Sequence, residues 1–171
     1  MDFESADESS ISNIRQDYTY EVTDHYCACI NYRFRMTFLE RVEKFKIRDN
    51  LLELEKKITE LSSIKKMESV AKEANEQLIK FRNEYCKLME QSKEDYEFYY
   101  NLLSNIQNEY NRVSNKKGGK NTYKDICKNI LEQIIQSLIK YEKKIILLND
   151  NIKKTIYLFL NIYSSFYFLL I

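Results

Sequence analysis

The sequence predicts an all-α fold built from long antiparallel coiled-coil helices. Three observations predict it. The chain of 171 residues holds no proline, where average usage would place roughly eight. Its only two glycines are adjacent, Gly118 and Gly119, so it lacks the turn residues that a sandwich or barrel needs at every reversal. Apolar residues also recur at alternating steps of three and four over long stretches, which keeps one stripe on one side of a helix.

Taken in order, residues 1–17 are polar, rich in Ser and Asp and without apolar periodicity, and read as a disordered lead-in. From Tyr18 to Tyr32 aromatics with Val22 and Ile30 suit helix or extended chain, with helix favoured by the seam that begins at Phe38. Phe38, Val42 and Phe45 open that seam, and Leu51, Leu54, Ile58 and Leu61 continue it after a phase shift at Asp49, giving one helix from about Tyr32 or earlier to about Leu61. The Ser62–Lys66 stretch is the expected hairpin tip, because only a returning helix could bury this stripe.

The returning helix, Ala74 to Val113, is the centre of the pattern. Leu78, Phe81, Tyr85 and Leu88 form its first seam, which slips through Ser92 and Tyr96 and resumes at Tyr99, Leu103, Ile106, Tyr110 and Val113. Such a helix reaches about 60 Å at about 1.5 Å per residue. After the break at Ser114–Asn121, residues Cys127, Leu131, Ile134, Leu138, Tyr141, Ile145, Leu148 and Ile152 make a second seam. That helix is expected to end near Asp150 and to carry the same rod onward past the glycines. The domain reading is thus a lead-in over 1–17, a helical coiled coil over 18–150 and an apolar tail over 151–171.

The tail from Thr155 to Ile171 carries no charge and comes after Lys153 and Lys154. It is shorter than the roughly 20 residues of a spanning helix and contains Asn161, Ser164 and Ser165. A tail anchor, a segment packed on the helices and a run of residues beyond the true gene end all remain open.

Charged residues make up 31% of the chain, yet the net charge is +1. Interleaved charge of this kind is a solvated helix face without a global pull toward nucleic acid, which is not expected as a partner. Four cysteines, Cys27, Cys29, Cys86 and Cys127, are scattered and come after an acidic, polar start, so free thiols in a reducing cytosol are expected.

Chemistry-bearing motifs are sparse. His25, Cys27 and Cys29 form H-x-C-x-C, but zinc needs four ligands from separated knuckles, and no second pair is near. One histidine supplies no nucleophile–base–orienter set. Lys116, Lys117 and the glycine pair lack P-loop spacing. No enzymatic activity and no cofactor are expected. The remaining candidates are short lysine clusters: Lys65, Lys66 and Lys72 at the hairpin tip, Lys116, Lys117 and Lys120 at the glycine break, and the pairs Lys143–Lys144 and Lys153–Lys154. Near an anionic leaflet each such cation adds about 1 kcal/mol.

Several runs also match a known pattern. Phe38–Leu39–Glu40–Arg41 with Phe45 resembles the F-x-x-R-x-x-x-aromatic run in the second BAR helix of sorting nexins, including the Vps-type retromer-associated members. Ala74 to Phe81 with Leu78 is similar to the opening of their third helix. Glu109 with Arg112, then Tyr123–Lys124 and Leu131–Glu132 with Ile134–Ile135, resemble the pair before a charged break and the closing run.

The resemblance covers residues 30–150 and lacks most of the first BAR helix and a PX domain. It implies a fragment holding the C-terminal two-thirds of a BAR module. Such a module dimerises, with itself or with another BAR-type protein, and sits peripherally on endosomal membranes in intracellular protein transport. On that reading the lysines contact anionic phospholipid, and Phe81, Tyr85, Leu88, Leu103, Ile106, Leu131, Ile134 and Leu138 form the core or dimer seam. Helices too long for a globule independently invite a second chain as cover. The alternative is a coiled-coil scaffold or tether with no lipid contact.

Overall fold

The computed structural model describes residues 8–18, 27–113 and 119–170, with side chains described over 12–18, 27–112 and 122–165. The fold is all-α: α1 (Glu8–Asp17), α2 (Cys27–Lys44), α3 (Ile47–Ser62), α4 (Glu68–Val113) and α5 (Gly119–Leu170), with no strand among the described residues.

The chain forms two compact units, one of residues 1–41 and 89–143, the other of residues 42–88 and 144–171. In the first, α4 and α5 run antiparallel. Tyr110 stacks on Tyr123 with centroids 4.2 Å apart, and Tyr141, further along α5, donates to Asp95, further back on α4. The glycine break therefore sits at a reversal. The expectation that residues 122–150 extend the same rod is corrected: a stripe along α5 is covered only if the helix doubles back onto α4. Residues 114–118 lie outside the described residues.

Within the second unit α3 and α4 form the expected hairpin, as Arg48 meets Tyr85 at 3.3 Å and Arg82 meets Glu55 at 2.5 Å. Its α3 face buries Ile47, Leu51, Leu54, Ile58 and Leu61. At the tip, Ser62 and Ser63 hydroxyls donate back to the Thr59 and Glu60 carbonyls, each at 2.7 Å, offering the last turn of α3 an alternative to further helix. Ile64 is extended, and a single 3₁₀ turn over Lys65–Met67 leads into α4.

The phase shift expected at Asp49 is realised three residues earlier, as a break between α2 and α3. Phe45 and Lys46 close i−3 turns onto Val42 and Glu43 at 3.2 and 3.1 Å, and Lys46 then takes left-handed angles (φ 53°, ψ 36°). A break frees carbonyls that need partners. The Asn149 amide of α5 donates to the Phe45 carbonyl at 2.9 Å, and the Asn50 amide donates to Asn149 Oδ1 at 2.8 Å. One buried side chain thereby caps the break and ties α5 to α3.

Two ends of the chain depart from the sequence expectation. Within the expected disordered lead-in, residues 8–17 form α1, because Ile14 is buried and Arg15 and Asp17 find partners in Glu132 and Arg41; residues 1–7 lie outside the described residues, as do 19–26. And α5 does not end near Asp150. Ile152, Ile156 and Phe159 are buried, so the seam runs on and residues 155–159 pack as helix in the second unit.

A non-glycine residue in the left-handed region costs roughly 1–2 kcal/mol, and the exposed Lys46 side chain makes no capping bond. Lys46→Gly is expected to raise unfolding stability by about 0.5–1 kcal/mol, read from the urea midpoint by circular dichroism.

Candidate functional site

Most of the predicted seam is buried within the one chain. Phe81, Tyr85, Leu103, Leu131, Ile134 and Leu138 are buried, while Leu88 and Ile106 are half-buried. A second chain is not needed to cover this stripe.

Polar groups interrupt the first unit's core in three layers. In the first, Cys27 and Cys127 are both buried beside Tyr123, whose hydroxyl lies 3.6 Å from Cys27 Sγ and 2.5 Å from Gln107 Oε1. Burial, then bonding to Cys27, raises the Tyr123 phenol; the hydrogen bond with Cys27, then burial, raises the Cys127 thiol. Both groups stay protonated, and a protonated thiol is not a nucleophile.

The second layer lines a cavity of about 10 Å³ between α2, α4 and α5, room for about one water. Arg35 donates to Ser92 Oγ at 2.8 Å and stands over the rings of Phe38 and Tyr96. Burial pulls its guanidinium below the usual value, opposed by Tyr96 and Glu97. Asp95 accepts from Tyr141 and, at 3.5 Å, from Ser137. Asn31 is buried with its Nδ2 unpaired among the described residues.

The third layer is ionic. Glu142 has no exposed surface and accepts from Arg41 and, at 2.8 Å, from Tyr18, while Arg41 also pairs with Asp17. Sequence reading missed both Glu142 and Asn149. The signal was present in the heptad series Ile135, Glu142, Asn149, Ile156, which runs beside Leu131, Leu138, Ile145, Ile152 and Phe159.

These layers hold helices together but present no open site. Among the described residues no group of three His, Cys, Asp or Glu side chains is placed to hold a metal ion. His25 lies outside the described residues, Cys29 and Cys86 are exposed, and none of the four cysteines forms a disulfide.

The surface candidate is the α3–α4 tip. Lys65 and Lys66 are exposed on its 3₁₀ turn, and Lys72 is exposed on the first turns of α4. None forms an ion pair with a described carboxylate. Lys116 and Lys117 lie outside the described residues, and so does the side chain of Lys120. Thus half of the predicted lysine set is placed, on one turn and the helix after it. Among the described residues no helix is long and apolar enough to cross a membrane.

No family model, curated protein or solved structure matches the chain. The likeness to sorting-nexin helices rests on its residue runs alone.

Two outcomes test the polar layers. Glu142→Ala leaves Arg41 and Tyr18 without their buried acceptor and is expected to cost about 3 kcal/mol in urea unfolding, whereas Glu142→Leu/Arg41→Met recovers most of it. The Tyr141 phenol is pushed up to about 12 from 10.0 by burial first and by Asp95 second. Since the folded state holds this proton more tightly, the contribution is complete below pH 10 and is lost as pH rises toward 12. Tyr141→Phe should flatten that part of the stability curve, measured as the difference between variant and parent midpoints.

Proposed function

We propose that this chain is a non-catalytic helical module that docks on anionic membrane surfaces through the α3–α4 hairpin tip. The observation that carries the reading is the position of Lys65 and Lys66, exposed on a one-turn tip and outside any ion pair with a described residue. Over residues 62–72 three lysines face a single acid, Glu68. A cation gains about 1 kcal/mol near an anionic leaflet, and the gain adds over clustered cations. Nucleic acid fits less well, because a chain of net charge +1 carries no extended basic stripe.

The sorting-nexin resemblance supports docking on the cytoplasmic face of endosomes during protein transport, with the module working as a homodimer or beside another BAR-type chain. Since one chain covers most of its own seam, pairing would use other faces. Exposed Tyr32, Met36, Phe98 and Tyr100 in the first unit offer apolar area of the sort such a contact buries.

Co-sedimentation with phosphatidylserine-containing vesicles tests the proposal. Binding should weaken steeply with salt, and Lys65→Glu/Lys66→Glu should reduce it at least about 30-fold, the equivalent of two lost cations at about 1 kcal/mol each. Absence of binding at low salt refutes membrane docking and leaves a protein-binding scaffold.

A further inference from the structure

Resting on that membrane reading, we infer that the C-terminal turns of α5 form the apolar half of the docking surface. Tyr157 and Leu158 enter the headgroup boundary of the leaflet whose anionic groups the tip lysines hold. The register sets these residues about two turns before the tip. Asn149 meets the Phe45 carbonyl and, at an offset of 99 residues, Asn50 at the start of α3, and the turns of α5 after it pack in the unit that holds α3, so α5 runs along α3 in the same direction. Helices of equal rise keep that offset. Carried forward, it sets Ser63–Met67 level with residues 162–166, and Ile58 and Thr59 level with Tyr157 and Leu158. From residue 157 to the tip is about 10 Å of helix.

The α5 seam divides its surface in two. Ile152, Ile156 and Phe159 face inward and are buried. Tyr157 and Leu158, on the other side, are 69% and 56% exposed. Leaving large apolar side chains in water on a helix that has a buried face forgoes about 25 cal/mol per Å² of available burial.

Charge selects the occupant. No acidic residue comes after Asp150, and Lys153 and Lys154 stand exposed just before the apolar turns. At the tip, Glu60 is drawn to Lys57 at 3.7 Å, leaving Glu68 against Lys65, Lys66 and Lys72. Cations around an apolar centre match an anionic leaflet, where tyrosine places its ring in the hydrocarbon boundary and its hydroxyl in the headgroups. The segment lies on the membrane; it is not apolar enough to span one.

Because the chain contains no tryptophan, Tyr157→Trp supplies a single emission reporter at an exposed position. With vesicles of phosphatidylcholine and phosphatidylserine its emission should shift to the blue and be quenched by brominated acyl chains. Leu158→Ser, with helicity matched by circular dichroism, should weaken vesicle binding about tenfold while leaving its salt dependence unchanged. A reporter that stays unquenched on vesicle-bound protein overturns the inference and leaves the lysine docking standing. A blue shift that grows with protein concentration in the absence of vesicles also overturns it, since a second copy then covers the face. Failure to bind vesicles at all removes both.

Discussion

A carboxylate with no exposed surface cannot stand alone in an apolar core, and the first unit is arranged around meeting that demand. Glu142 lies on the buried stripe of α5, where desolvation would cost several kcal/mol without partners. Arg41 supplies the charge, from near the end of α2, and Tyr18 supplies a neutral donor from the residue just after α1. Arg41 then reaches Asp17 in α1. One buried anion thus specifies which turn of α2 meets α5 and holds α1 in place. An apolar residue at position 142 would pack against several registers equally well.

Asn149, one heptad later on α5, does the same work in the second unit. Its amide meets the Phe45 carbonyl released by the α2–α3 break, and its oxygen takes the Asn50 amide. A polar residue at a core position costs stability in return for a single register. Here the cost is small, because both ends of the amide are bonded. The break is the other half of the arrangement: without a left-handed Lys46 the Phe45 carbonyl would stay in its own helix and Asn149 would lack an acceptor.

Most polar groups described in the interior bond one another, the Asn31 amide nitrogen excepted. The Cys127 thiol is pushed up by its bond to Cys27 and by burial, the Tyr123 phenol by burial and its bond to Cys27, and Arg35 is bonded to Ser92 and capped by two rings. Outside, exposed lysines gather at a hairpin tip, and Tyr157 and Leu158 are exposed on α5.

The residue pattern by itself determined that the chain is helical, where its main hairpin turns and which apolar residues face inward. No proline and a single glycine pair leave few places to reverse, and steps of three and four define a face without reference to anything else. Burial of Phe81, Leu103, Leu131 and Ile134 stems from that local periodicity. Only the tertiary structure decided what each face meets. That α5 doubles back on α4, that α1 is helical, that Glu142 and Asn149 are buried and that the seam continues to Phe159 all depend on partners distant in sequence. Periodicity cannot show them, because a glutamate or asparagine on a helix is written the same way whether water or an arginine from another helix completes its hydrogen bonds.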